Sequence, residues 1–415
     1  MRIATAAGGR HAPLVCGPAV LAVVAAFTAL AAFTAVAAFA AAGSGAASPH
    51  RASVAAAESA SDARVQRDLR ELVAAPGGPP GAIATLFREG RTTVLTAGVA
   101  DVGTRRPPRA TDYMRIASIA KAFSGAVTLE LVRRGRLRLD DTIARRLPGL
   151  PRAWGRVTIR ELLDHTSGLP DYTESKGFRD QFETDPTGYV PPSRIISWVA
   201  NERLNFAPGS RYRYSNTDNI VIGLIAERAT GRSYGSLLRA SVFAPLGLRH
   251  TSFPTGVRLP RPYLHGYVTE PGASPHDVSE SLSPSGAWAS GAIVSTPLDL
   301  GAFIRGYVSG RLFGSRLLRQ QRQFVLGGAS SPPGPGANAA GLALFRYRTR
   351  CGTVYGHTGN FPGYVQWAAA TGDGRRSVTS SLNIPAPTGR LLARLRAMQA
   401  DAVCALLAGG PSFTG

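Results

Sequence analysis

Ser118 and Lys121 stand three residues apart in a run whose other members, Ile116, Ala117, Ile119, Ala120, Ala122 and Phe123, are apolar. At the start of a helix this spacing puts both side chains on one face, within reach of each other. A lysine in so apolar a segment is costly without a purpose. Burial and the positive end of the helix both favour its neutral form. A neutral amine can take the serine proton, and the same helix end favours an oxyanion developing nearby. The pair therefore points to a nucleophilic serine that forms a covalent ester. Two triplets follow it. Tyr214-Ser215-Asn216 comes after the loop mark Pro208-Gly209, and His357-Thr358-Gly359 comes after Val354 and Tyr355. Tyr214 and Asn216 alternate, so in an extended strip both point the same way. A phenol can carry a proton to a leaving amine, and Asn216 can bond Lys121 and a substrate amide.

The three motifs, in this order, resemble those of the serine β-lactamase and penicillin-binding family, in particular its class C-like branch. The resemblance runs from about Asp62 to Cys404. It implies an α+β fold, an antiparallel sheet with helices on both faces plus an all-helical region, with the active site between them. It also implies a secreted serine D-alanyl-D-alanine carboxypeptidase acting on peptidoglycan stem peptides, with β-lactam antibiotics as inhibitors. Ser118 is then the nucleophile, and Lys121 and Tyr214 share the proton transfers. His357-Thr358-Gly359 lines the site from a sheet edge, where Gly359 lets substrate backbone approach and Thr358 bonds the substrate carboxylate. The N–H groups of Ser118 and Asn360 form the oxyanion hole. His357 stands where most lactamases carry lysine, which favours a peptidase. Trp288 matches an aromatic near the cleft, with core packing as the alternative. Arg346 and Arg348 alternate with Phe345 and Tyr347, and Arg346 is offered to the terminal carboxylate of the peptide. A β-lactamase or serine esterase on the same scaffold is the alternative reading, and a non-catalytic cell-wall binding protein a further one.

Asp164-His165-Thr166-Ser167-Gly168-Leu169 imitates another site. It lacks the glycine two residues before the serine that a nucleophile elbow requires, and is read as structure.

These residues need elements to hold them. Asp62 opens a helix whose face is Val65, Leu69, Leu72 and Val73. Ala82–Phe87 and Thr92–Val99 flank Arg88-Glu89-Gly90-Arg91 as a hairpin. Ser118–Arg134 is an apolar helix closed by Gly135. Residues 136–285 read as helices and loops, including Ile195–Val199, Asn219–Ala229 and Tyr234–Ala244. Strands return at Gly352–His357, Gly363–Ala370 and Ser377–Asn383, before a closing helix at Leu391–Leu407. The catalytic domain thus covers 62–407, with its sheet region in 62–117 and 286–407. Ala329–Ala340, rich in proline and glycine, is expected as a surface loop.

The N-terminus reads as a targeting segment. Arg2 and Arg10 precede the apolar stretch Leu14–Ala42, and Ala38-Phe39-Ala40 offers a cleavage site. Residues 1–42 are expected as a signal peptide, or as an uncleaved anchor, and 43–61 as a flexible linker. Export follows from either. Cys16 goes with the leader, which leaves Cys351 and Cys404, an even pair that reads as a disulfide outside the cell. The resemblance implies the same pair.

The formal charge is 47 − 26 = +21, and all but Lys121 and Lys176 of the basic residues are arginines. They are scattered, without a recognition motif, so nucleic acid is excluded as a partner. The charge fits a solvated surface, with an anionic wall or membrane as the alternative. The seven histidines show no metal-ligand spacing, and no cofactor is expected. The chain is expected to be a monomer.

Overall fold

A computed structural model describes residues 49–269 and 273–408. The leader, its cleavage site, Cys16 and the start of the linker lie outside the described residues. Among the described residues no helix is long and apolar enough to cross a membrane.

Strands β1 (Gly81–Arg88) and β2 (Arg91–Gly98) form a hairpin. Glu89 and Gly90 close it, both at positive φ, the geometry that suits the twist of the strands they join. Four two-residue strands follow: β3 (Met114–Arg115), β4 (Tyr267–Val268), β5 (His276–Asp277) and β6 (Val294–Ser295). The C-terminal part adds β7 (Val325–Leu326), β8 (Ala337–Gly341), β9 (Leu344–Thr349), β10 (Gly352–Phe361), β11 (Tyr364–Ala370) and β12 (Ser377–Leu382). The main sheet runs β2-β1-β12-β11-β10-β9-β8-β7, antiparallel throughout.

Every residue of β11 and β12 is buried, because helices cover both faces. On one face Val65, Leu69 and Leu72 of the Pro49–Ala74 helix and Leu395, Met398 and Leu406 of the Gly389–Leu407 helix pack on the sheet. Cys404 of that second helix is bonded to Cys351, at the start of β10. On the other face lie the Ala120–Arg133 and Pro297–Val308 helices, continuous with the core of the helical region.

One detail of the sheet prepares the site. β10 pairs with β11 from Tyr355 to Phe361, but with β9 only from Gly352 to Gly356. Past Gly356, β9 no longer pairs with that edge, and the chain turn Ala117–Ile119 packs on the face of the same stretch at Gly359.

Several expectations are corrected. Residues 49–61 are helical, the first part of Pro49–Ala74, so the linker expected over 43–61 ends earlier. Ser118 lies in the 3-10 turn Ala117–Ile119, just before the helix that begins at Ala120. Asn216 is the first residue of the Asn216–Thr230 helix, and Ser215 before it is extended. The 329–340 segment is not simply surface: Ser330 and Pro332 are buried, and β8 begins at Ala337.

Candidate active site

The Ala117–Ile119 turn holds Ser118 half-buried, and the next helix sets Lys121 beneath it with no exposure. Lys121 Nζ lies 3.0 Å from Ser118 Oγ, 2.7 Å from Asn216 Oδ1 and 3.0 Å from the Ser290 carbonyl oxygen. An amide oxygen and a backbone carbonyl only accept, so each engages an N–H of the amine. A neutral amine has two N–H groups and one lone pair. With both N–H groups held, the lone pair is left for the Ser118 hydroxyl. Burial drives the Lys121 pKa down to about 7, opposed by the carboxyls of Asp171 and Asp218. Asp171 also orients Asn216: its Oδ2 accepts from Asn216 Nδ2 at 2.8 Å and from the Asn216 N–H at 3.1 Å, which turns Oδ1 toward Lys121.

The Tyr214 ring lies 5.0 Å from Lys121 Nζ. Its hydroxyl is buried and makes no well-aligned hydrogen bond, although Ser118 is close enough to lower its pKa somewhat. Burial outweighs this and holds the phenol well above its ordinary 10.0, so Tyr214 keeps its proton.

His357 is fully buried, with its ring 6.4 Å from that of Tyr214. Nδ1 is 2.5 Å from the Thr358 carbonyl oxygen, so Nδ1 carries the hydrogen and Nε2 is bare. Nε2 is buried without a partner among the described residues. Burial, and then the Lys121 charge, hold His357 well below its ordinary 6.5, so the ring is neutral.

Backbone strain gathers at the same place. Ala117, immediately before Ser118, has φ 51°, and His165 and Trp288 are at 60° and 34°. Side chains rarely adopt such angles, and their persistence here marks a locally over-determined structure.

Other expected site residues stand differently. A Cβ on Gly359 would lie 2.3 Å from the Ile116 carbonyl oxygen, so the close approach it permits is that of the chain's own serine turn. The Thr358 hydroxyl is buried and donates to the Pro332 carbonyl oxygen at 2.6 Å, 2.7 Å from Ser330 Oγ. It is already satisfied inside the protein. Asn360 lies on the β10 edge beyond β9, and its exposed side chain accepts from the Ala386 N–H at 3.0 Å. Arg346 pairs across the sheet with Tyr355, and its guanidinium sits 4.7 Å over the Phe324 ring. Its Nε is buried without a hydrogen-bond partner among the described residues. Trp288 is buried in the helical core against Tyr234, where it fills the space a side chain at Gly223 would need. That is the packing alternative, not a cleft wall. Among the described residues no cluster of His, Cys, Asp or Glu is placed to hold a metal ion.

Four contributors were not foreseen. Asp171 orients Asn216, and the Ser290 carbonyl holds Lys121. His165 packs 4.5 Å from the Tyr214 ring and joins Asp218 at 2.7 Å. The only sequence signal is the Asp164–Leu169 segment, which carries His165. Nothing local marks Ser290.

Fold and site together define a serine hydrolase of the penicillin-binding type, with Ser118 and Lys121 on one helix start. The profile described as Beta-lactamase matches residues 65–402, and the chain belongs to that family. A D-stereospecific amidohydrolase from Streptomyces sp. is 32% identical, with a TM-score of 0.71 over 80% of this chain and 98% of that one. The D-amino acid amidase of Ochrobactrum anthropi SV3 is 26% identical, with a TM-score of 0.73 over 84% of this chain and 98% of that one. Among curated proteins, penicillin-binding protein 4* of Bacillus subtilis (strain 168) is 33% identical over 176 residues, 41% of this chain and 38% of that protein. The alignment thus spans well under half the length of that relative.

Proposed function

We propose that this chain is an exported serine peptidase that works through an acyl-enzyme at Ser118 on peptides whose acyl residue is D-configured, with D-alanyl-D-alanine stem peptides as substrate. The observation that carries the reading is the lone pair of Lys121, aimed at Ser118 by two acceptor-only partners. Lys121 takes the Ser118 proton as Oγ bonds the carbonyl carbon. Tyr214 gives its proton to the leaving nitrogen as the C–N bond breaks, and the proton on Lys121 returns to the phenolate. Water then repeats the sequence to release the acid. The open edge of β10 offers backbone partners to an extended substrate. The D-configured acyl group is supported by the D-stereospecific amidohydrolase and the D-amino acid amidase among the solved relatives.

A second reading is favoured by one observation. Thr358 donates its hydroxyl hydrogen to the Pro332 carbonyl inside the protein, so that hydroxyl is not free to receive a terminal carboxylate. On that reading the leaving group is uncharged, and the enzyme is a D-residue amidase. The test compares turnover of an acyl-D-Ala-D-Ala peptide, the matching acyl-D-Ala amide, and benzylpenicillin. Faster release from the dipeptide supports the carboxypeptidase; faster release from the amide supports the amidase. Rapid penicillin turnover with neither peptide touched would replace both with a lactamase.

A further inference from the structure

The Asp164–Leu169 segment has no place in the acyl-transfer steps above, yet it is built into the wall of the site. His165, Thr166 and Ser167 are buried, and His165 holds a positive φ. Asp218, in the first turn of the Asn216–Thr230 helix, is fully buried between them. Its Oδ2 lies 2.7 Å from His165 Nδ1, and its Oδ1 accepts from Ser167 Oγ at 2.5 Å. Ser167 Oγ in turn accepts from the Leu169 N–H at 3.0 Å. Burial pushes His165 down to about 3, helped by the Lys121 charge, so the ring is neutral and its contact with Asp218 is a hydrogen bond.

What this pair holds is the strip that carries Tyr214. The Arg213 N–H donates to the His165 carbonyl at 3.0 Å, and the Ser215 N–H approaches His165 Nδ1 at 3.4 Å. Between those two anchors sits Tyr214, its ring 4.5 Å from the imidazole. The phenol's own hydroxyl makes no well-aligned hydrogen bond and has only the Ser118 side chain close by, so its far end fixes the ring weakly. The ring and backbone contacts of His165 fix where it points instead. A buried carboxyl and a buried imidazole are expensive groups to spend on packing alone.

We propose that His165 and Asp218 are positioning residues for the proton-carrying phenol: Asp218 fixes the imidazole, and the imidazole fixes Tyr214 for delivery of its proton to the leaving group. The proposal rests on the acyl-enzyme reading at Ser118. It predicts a dependence on leaving group that general loosening of the fold would not produce. An amide nitrogen must be protonated to leave; p-nitrophenolate need not be.

The experiment uses the full chain and two substrates sharing one acyl group, an amide and a p-nitrophenyl ester. Tyr214→Phe and His165→Phe should each lower the single-turnover acylation rate with the amide by about 100-fold, in the range that general-acid assistance supplies, and lower acylation by the ester by a far smaller factor, since deacylation is common to both substrates. The double variant should be no worse on the amide than Tyr214→Phe alone, since both changes remove one proton delivery. Should His165→Phe fail to fold, Asp218→Asn, which keeps the size and shape of the side chain, carries the same comparison. Equal loss on both substrates, or additive losses in the double variant, would overturn the positioning role. If wild-type Ser118 is not acylated by either substrate, it is the acyl-enzyme reading that fails, and that outcome is distinct.

Discussion

Lys121 is charged or neutral according to which of two opposed effects wins, and here burial wins. The amine has no exposure, and the carboxyls of Asp171 and Asp218 recover only part of the lost hydration. Its conjugate acid therefore gives way at about 7, and the base form grows as pH rises through that point. Acylation should follow the same limb, rising through pH about 7. Lys121→Arg keeps a cation but supplies no base, so acylation should fall by at least about 100-fold, measured as a single-turnover rate. A native rate in that variant would make Lys121 structural. The same shift has a stability consequence. Between about 7 and the unfolded value of 10.5 the unfolded chain binds the extra proton, so Lys121's contribution to stability rises with pH across that window. Lys121→Met removes the penalty altogether. It should be inactive yet more stable than wild type at about pH 6, with the advantage shrinking by about pH 9, in urea unfolding curves.

At the scale of elements, the site depends on how closely β10 meets the serine turn. Gly359→Ala would press a methyl group to 2.3 Å from the Ile116 carbonyl oxygen. That contact sets the position of Ser118, so the variant should lose activity by at least about tenfold while remaining folded, since even a small misplacement of reacting groups is costly. Native kcat/KM in Gly359→Ala would show that the turn tolerates displacement. The other end of β10 is secured differently, by the Cys351–Cys404 bond across 53 residues of chain. Loop entropy gives it about 4 kcal/mol, so Cys404→Ser should lower unfolding free energy by up to that amount without changing kcat. Much of this organisation is legible locally. The hairpin shows in Arg88-Glu89-Gly90-Arg91, and the apolar helix after Ser118 shows in its unbroken hydrophobic run. The linker boundary is harder to see, because Ala and Ser favour no one state strongly and residues 49–61 become helical only as part of a helix that packs on the sheet. The 329–340 loop reads as surface by composition, and only the fold brings Ser330 and Pro332 against Thr358.

At the scale of the molecule, the active site is assembled from three distant stretches: the helix start at Ser118, the helical region at Tyr214, and the sheet at His357. Their order in the chain is visible in the sequence because each motif is short and self-contained. The partners that tune them are not visible, since Asn216 finds Asp171 across 45 residues and His165 finds Asp218 across 53. Arg346 shows the limit from the other side. Alternation with Phe345 and Tyr347 gives its face correctly, but Phe324, from outside that strand, decides what the face meets. The central claim remains that all three stretches converge to make Ser118 a nucleophile. Intact-mass analysis after mixing the full chain with benzylpenicillin tests it most directly. One covalent adduct should form, map to the peptide containing Ser118, and vanish in Ser118→Ala. A protein that stays unmodified while the penicillin stays unhydrolysed, or an adduct that persists in Ser118→Ala, would contradict the account.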